Sequence, residues 1–250
     1  MSKLPKITLY FWIMKICATT LGETAGDLLS MTLKVGYAAS SLILVSLFAV
    51  ALGAQLKSKV HHAFLYWAVI LATSTAGTTM SDYMDRTLKL GYMKGSILLV
   101  SILMIVLAAW KYSEGSLSVE HIKTRKAELF YWFAILFSNT LGTALGDFLA
   151  DDSGLGFAGG AALIGGLLGV IILGFYFTKI SRVLLFWLAF ILTRPFGATV
   201  GDVLTKASDQ GGLNLGTLKA SLVLLGILVA VIFYTKNRHP AVDLAPELTA

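Results

Sequence analysis

Long apolar runs alternate with short polar connections along this chain, and the runs are of two kinds. A helix needs about 20 predominantly apolar residues to cross a bilayer. Eight stretches have that length: Thr8–Leu29, Gly36–Leu56, Ala63–Met84, Gly91–Trp110, Leu129–Ala150, Leu155–Phe177, Val183–Leu204 and Gly216–Tyr234. The second and sixth carry no charge, and the third and fifth are charge-free until an aspartate near their ends. In the odd-numbered runs polar residues recur with the period of a helix, which puts them on one face.

The odd runs are copies of one another. Trp12, Trp67, Trp132 and Trp187 hold the same place in each, preceded by Phe11, Tyr66, Tyr131 and Phe186. Ten residues after each Trp stands Gly22, Gly77, Gly142 or Gly197, and fifteen after it Asp27, Asp82, Asp147 or Asp202. The copies start 55, 65 and 55 residues apart. The even runs align too, opening at Gly36-Tyr37, Gly91-Tyr92, Gly156-Phe157 and Gly216-Thr217. Such self-similarity is the mark of a repeat architecture. The expected fold is therefore an all-α integral membrane protein in which eight transmembrane helices form four two-helix hairpins. Two spans per copy start every copy on the same side, so the repeats are parallel rather than inverted, and a quasi-four-fold ring is the simplest arrangement. Lys94 and Lys219 match in copies two and four, where copies one and three have Ala39 and Gly159, which adds a nested two-fold.

This predicts one membrane domain over residues 1–250, with repeats near 8–56, 63–110, 129–177 and 183–235, a cytoplasmic loop at 111–128 and a flexible cytoplasmic tail at 236–250.

Composition agrees. Apolar residues make up 56%, charged residues 14%, and mean hydropathy is +0.78, whereas soluble domains carry about 25% charge. The net charge of +6 would suggest nucleic acid in a soluble chain. Here the basic residues lie in the connections, where they set topology. The N-terminus, even-to-odd connections and tail carry twelve: Lys3, Lys6, Lys57, Lys59, Lys111, Lys123, Arg125, Lys126, Lys179, Arg182, Lys236 and Arg238. The opposite side carries Lys34, Arg86, Lys89, Lys94, Lys206 and Lys219. Both termini are expected in the cytoplasm, in a cell inner (plasma) membrane. With a single cysteine, Cys17, and with His61, His62, His121 and His239 all in connections or the tail, neither a disulfide framework nor a thiolate or histidine metal centre is available. No signal-peptide cleavage site is evident.

The aromatic-Trp start, the Leu-Gly-x-x-x-Gly-Asp core (Leu21 to Asp27, Leu141 to Asp147) and the four-copy plan resemble a bacterial family of multi-pass membrane proteins built from four copies of a repeat of unknown function, often labelled membrane-anchored proteins. The resemblance covers Tyr10 to about Tyr234. Copy two departs with Ser81 for the second glycine, and copy four with Arg194-Pro195 for the polar pair. It implies fold and location and carries no activity.

The candidate chemistry lies on the polar face. Copy one supplies Thr19, Thr20, Glu23, Thr24 and Asp27; copy two Ser74, Thr75, Thr78, Thr79 and Asp82; copy three Asn139, Thr140, Thr143 and Asp147; copy four Arg194, Thr199 and Asp202. A face like this avoids lipid and must meet protein or water. Two readings of the four aspartates stay open. They pair with Lys34, Lys89, Lys94, Lys206 or Lys219 as structure, or with Glu23 they form a cation site, since carboxylate and hydroxyl oxygens suit Mg²⁺, Mn²⁺, Ca²⁺ or a proton. Glu23 breaks the four-fold pattern and is the foremost single candidate. Arg194 needs an acidic partner, most simply Glu23 or an aspartate, and serves as countercharge; Pro195 predicts a kink. The glycines, spaced by four, read as packing positions, the aromatic-Trp pairs as interfacial anchors, and Lys15 as a snorkelling residue.

The expected function is transport or export of a cation, with a divalent metal such as manganese or a proton-coupled solute as cargo; the alternative is a membrane scaffold or anchor. No serine–histidine, zinc-histidine or phosphate-loop motif points to an enzyme, no cofactor is expected, and the partners are the bilayer and the transported species, with a homo-oligomer left open.

Overall fold

The computed structural model describes residues 5, 7–58, 60, 62–119, 122 and 124–238. Lys3, Lys6, Lys59, Lys123, His61, His121, His239 and the tail from 239 onward lie outside these. The described residues form eight long helices and no strand: α1 Leu9–Asp27, α2 Tyr37–Lys57, α3 Ala63–Asp82, α4 Tyr92–Glu114, α5 Arg125–Asp147, α6 Gly156–Phe177, α7 Arg182–Thr205 and α8 Thr217–Arg238. Seven are long and apolar enough to cross a membrane. The exception to the eight expected spans is α1, which carries Lys15, Glu23, Asp27 and three threonines. Its polar residues are nearly all buried in the protein, so polarity costs it hydropathy without exposing it.

Local chemistry sets the ends. Thr8, Thr124 and Ser181 cap α1, α5 and α7 by accepting from the backbone N–H three residues on, which satisfies one otherwise unpaired donor of the first turn. The turns into the even helices pass through Gly36, Gly91, Gly156 and Gly216 with φ between +67° and +82°, a region that costs other residues steric strain. The repeated glycine found in the sequence is the signature of that turn. The segment between α4 and α5 is 115–124, shorter than expected, because α4 runs on to Glu114.

The odd helices close a ring: α1 packs on α3, α3 on α5, α5 on α7 and α7 on α1. Each even helix leaves its own repeat and packs on the odd helix of the next: α2 on α3, α4 on α5, α6 on α7, and α8 back on α1. This corrects the expectation of self-contained hairpins. The inner ring holds the buried residues, whereas α2 buries only Ser40, Phe48 and Gln55, and α6 only Gly160 and Ile164. Leu42, Val50, Met104, Ile105, Val170, Leu173, Leu222 and Val223 face outward from the even helices, a continuous apolar exterior.

Candidate functional site

The odd-helix motif builds a stack of cyclic layers inside the ring. The first is aromatic. Phe11 meets Trp67, Tyr66 meets Trp132, Tyr131 meets Trp187 and Phe186 meets Trp12, at centroid separations of 5.6, 5.5, 6.5 and 5.8 Å. Trp67, Trp132 and Trp187 are buried. The aromatic-Trp pairs are therefore a core ring and not the interfacial anchors expected from sequence. The Tyr66 and Tyr131 hydroxyls share a 2.6 Å hydrogen bond across this layer.

Lys15 lies one turn further in and is fully buried. Its Nζ donates to Asn139 Oδ1 at 3.3 Å and stands 4.0 Å from the Phe190 ring centroid. It does not snorkel, because its face of α1 turns toward α5 and α7. Asn139 in turn donates through Nδ2 to Thr73 at 2.9 Å.

The glycines make the next contact. A Cβ at Gly22 would strike Ser74, at Gly77 the Asn139–Thr140 backbone, at Gly142 Arg194 and Pro195, and at Gly197 Thr19. Each glycine thus admits the polar residue of the next copy. Packing is their role, as expected from the small-residue spacing.

Arg194 occupies the middle. Its Nη1 and Nη2 each donate to Glu23 Oε2 at 3.0 Å. Nη2 also donates to Thr78 Oγ1, Thr143 Oγ1 (2.8 Å) and the Ser74 carbonyl (3.3 Å), and Nη1 to the Thr19 carbonyl at 3.4 Å. Thr78 and Thr143 donate to Glu23 Oε2 at 3.2 and 3.4 Å. All four repeats thus supply a side chain to the layer. The Glu23 partnership anticipated for Arg194 is present, and α7 runs unbroken through Pro195. The Thr19 hydroxyl instead donates to the Thr193 and Ile16 carbonyls, so only its backbone joins this layer. Arg194 Nε and Ser74 Oγ have no hydrogen-bond partner among the described residues.

The aspartates form the last layer, joined in pairs. Arg86 reaches Asp82 at 3.0 Å and Asp147 of the next copy at 3.3 Å. Lys206 reaches Asp202 at 3.2 Å and Asp27 of the next copy at 3.0 Å. Each cation stands four residues after its own aspartate, on successive turns of one helical face. Copies one and three have Met31 and Asp151 there. The nested two-fold is real, but Arg86 and Lys206 carry it rather than Lys94 and Lys219, which are exposed and make no ion pair among the described residues. Burial opposes the charge on Lys206, yet the Asp202 and Asp27 carboxylates outweigh it and hold its pKa above the ordinary lysine range. Sequence reading named Lys206 as one partner among several and missed Arg86; a comparison of the position four after each aspartate would have found both. In the first three copies the aspartate is followed by one π-helical turn, at Leu28–Thr32, Tyr83–Thr87 and Phe148–Asp152, an irregularity frequent near functional sites.

One carboxylate oxygen from each of Glu23, Asp147 and Asp202 comes within 4.8 Å of the others, and all three residues are buried. Asp27 and Asp82 stay outside this trio. Five carboxylates are matched here by three cations, leaving a formal excess of two negative charges that Lys15, further along the axis, reduces to one.

A family model described as Repeat of Unknown Function (DUF347) matches the chain four times, at residues 10–61, 65–116, 130–181 and 185–238. No curated protein and no solved structure matches the chain.

Proposed function

The chain belongs to this family of unknown-function repeats, and we propose that it is a multi-pass membrane carrier for a cation, with both termini in the cytoplasm. The cargo class is a divalent metal such as manganese, or a proton-coupled solute. The observation that carries the reading is the buried trio of Glu23, Asp147 and Asp202, held on the axis of a ring whose exterior is apolar. Oxygen donors suit hard cations, and the net negative balance of the ionic layers favours a cation or protons. Seven helices of spanning length and composition support the bilayer placement, and the basic residues on the side of the termini support the orientation.

In this mechanism Arg194 is the resident countercharge. It lies on Glu23 in the absence of cargo, and an arriving cation displaces the guanidinium toward Thr78, Thr143 and the Ser74 carbonyl, which already accept from it. Arg86 and Lys206 tie the aspartates together at one end, and the aromatic ring fills the other. The enclosed layer between them supports a carrier over an open channel. Glu23, Thr78, Thr143, Asp147 and Asp202 are the cargo-binding residues on this reading; Asp82 shares the Arg86 latch with Asp147 and Asp27 shares the Lys206 latch with Asp202, and Thr19 and Asn139 support the layer above.

The test is metal flux into proteoliposomes, with growth of deletion and overexpression strains across a panel of metal salts. Changing Glu23, Asp27, Asp82, Asp147 and Asp202 together to amides abolishes flux and tolerance while the protein still inserts. Unchanged transport in that variant removes the cation site.

A further inference from the structure

The four-fold plan provides an internal control for empty space. In the sector covered by α4, Trp110 drops between the inner helices and meets Tyr131 at 6.4 Å and Trp187 at 5.7 Å; it is 1% exposed. The corresponding residue of α6 is Phe175, nineteen positions after the opening glycine in both helices. By analogy it should fill the space between Phe186 and Trp12. It turns outward instead, 46% exposed, and α6 has glycine at 160, 165, 166, 169 and 174, so little else fills the gap. The result is a groove of about 740 Å³ between α1, α6, α7 and the connecting residues Leu117, Ser118 and Val119, within the usual range of ligand pockets. Its consequence is visible on Trp12, the one member of the Trp ring that is only partly buried.

The groove wall is apolar, with Ala189 and Phe186 along it and Thr193, the neighbour of Arg194, at its depth. Its mouth is basic. Arg182 lines it, donates to the Phe175 carbonyl and stacks 4.2 Å from the Phe175 ring centroid. Arg182 has no ion pair among the described residues, and with five N–H donors it retains several for a second partner. It opens α7, whose unpaired N-terminal N–H groups add positive potential, and the mouth lies at the end of the ring from which the basic-rich connections emerge. An apolar slot ending in an arginine with no ion pair among the described residues matches an amphiphile with a fatty chain and an anionic head, and basic pockets between helices at that face bind acidic lipid headgroups.

We propose that this groove holds one acyl chain of an anionic phospholipid, whose phosphate is received by Arg182. The bound chain does in the α6 sector what Trp110 does in the α4 sector, covering Trp12 and sealing the inner ring one residue away from Arg194. The proposal rests on the bilayer placement above.

The experiment is native mass spectrometry of the full-length protein, purified in detergent and titrated with phosphatidylglycerol or phosphatidylcholine. One phosphatidylglycerol is retained about tenfold more tightly than phosphatidylcholine, the ratio expected from one charge-assisted contact. Arg182→Gln lowers phosphatidylglycerol to the phosphatidylcholine level, and Ala189→Phe, which fills the slot, removes both. Should Ala189→Phe fail to fold, Ile172→Trp at the lipid-facing wall of the groove replaces it. Equal retention of the two lipids by the wild type, or undiminished phosphatidylglycerol on Arg182→Gln, overturns the proposal. The readout is independent of flux. A protein that fractionates away from membranes overturns the bilayer placement itself, whereas an inserted protein without lipid preference overturns the groove alone.

Discussion

The Arg194 layer and the aspartate layer lie on the same face of the same four helices, one turn apart on α1, α3 and α5 and two on α7, yet they treat charge in opposite ways. In the aspartate layer the repeat is respected: two cations on equivalent turns bridge equivalent carboxylates, and both cations keep a solvent-facing side, at 33% and 21% exposure. In the Arg194 layer the repeat is broken. One arginine and one glutamate stand where the other copies have hydroxyls, an amide or alanine, and the arginine side chain has no exposure at all. A symmetric ion-pair layer ties helices together. An asymmetric, fully buried pair is a costly way to do the same, because burying two charges consumes most of what their attraction returns. The difference teaches that the outer layer is a clasp and that the inner one is retained for something other than stability.

This contrast can be broken first at its centre. Arg194→Ala leaves Glu23 buried and unpaired and costs about 3–5 kcal/mol, read as a drop in thermal unfolding temperature in detergent. Combining it with Glu23→Gln restores part of the loss; strictly additive effects would mean that the two side chains are not coupled. Next is the packing that brings the layers together. Gly142→Val pushes against Arg194 and Pro195 and lowers stability by about 1–3 kcal/mol, whereas Gly53→Val, at an outer glycine with open space beside it, leaves the melting temperature nearly unchanged. The clasp comes third. Arg86→Met and Lys206→Met each leave two buried carboxylates without their cation and cost about 1–3 kcal/mol, and the two values match because the positions are equivalent. The sign of the Lys206 effect with pH follows from its raised pKa. Its contribution is complete below the ordinary lysine pKa and disappears only as pH rises through the higher folded value, so loss of the Lys206 charge does not shrink the Lys206→Met deficit as pH rises toward the ordinary lysine value of about 10.4. The smallest effect belongs to Lys94→Gln and Lys219→Gln, within about 0.5 kcal/mol of wild type, since neither takes part in the nested two-fold.

The repeat, its polar face and the Arg194–Glu23 pairing were legible in the sequence because they depend on spacing along one helix and on the rule that a buried charge needs a partner. What stayed hidden depends on which helix lies beside which. The sideways step of α2, α4, α6 and α8 onto the following repeat leaves no periodic mark. Without it, the Trp residues read as membrane-interface positions when they are a closed ring, and Lys15 as a chain reaching for water when Asn139 and Phe190 enclose it. Arg86 escaped notice for a related reason: its second carboxylate, Asp147, belongs to another repeat 61 residues away. The failure of α1 to match a spanning composition has the same root, since hydropathy counts polar residues without regard to the direction they face.

The sideways step has a further consequence, for ancestry and assembly. A chain of two repeats would end with an even helix lacking a partner and begin with an odd helix lacking a cover. Two such chains would exchange these elements reciprocally and close the same eight-helix figure. In the present chain the two halves are joined by residues 115–124, the longest connection between repeats. Helix α1 must then wait for α8, the last helix of the four repeats, before it is enclosed, and chain termini moved to any other repeat boundary should leave the finished architecture intact.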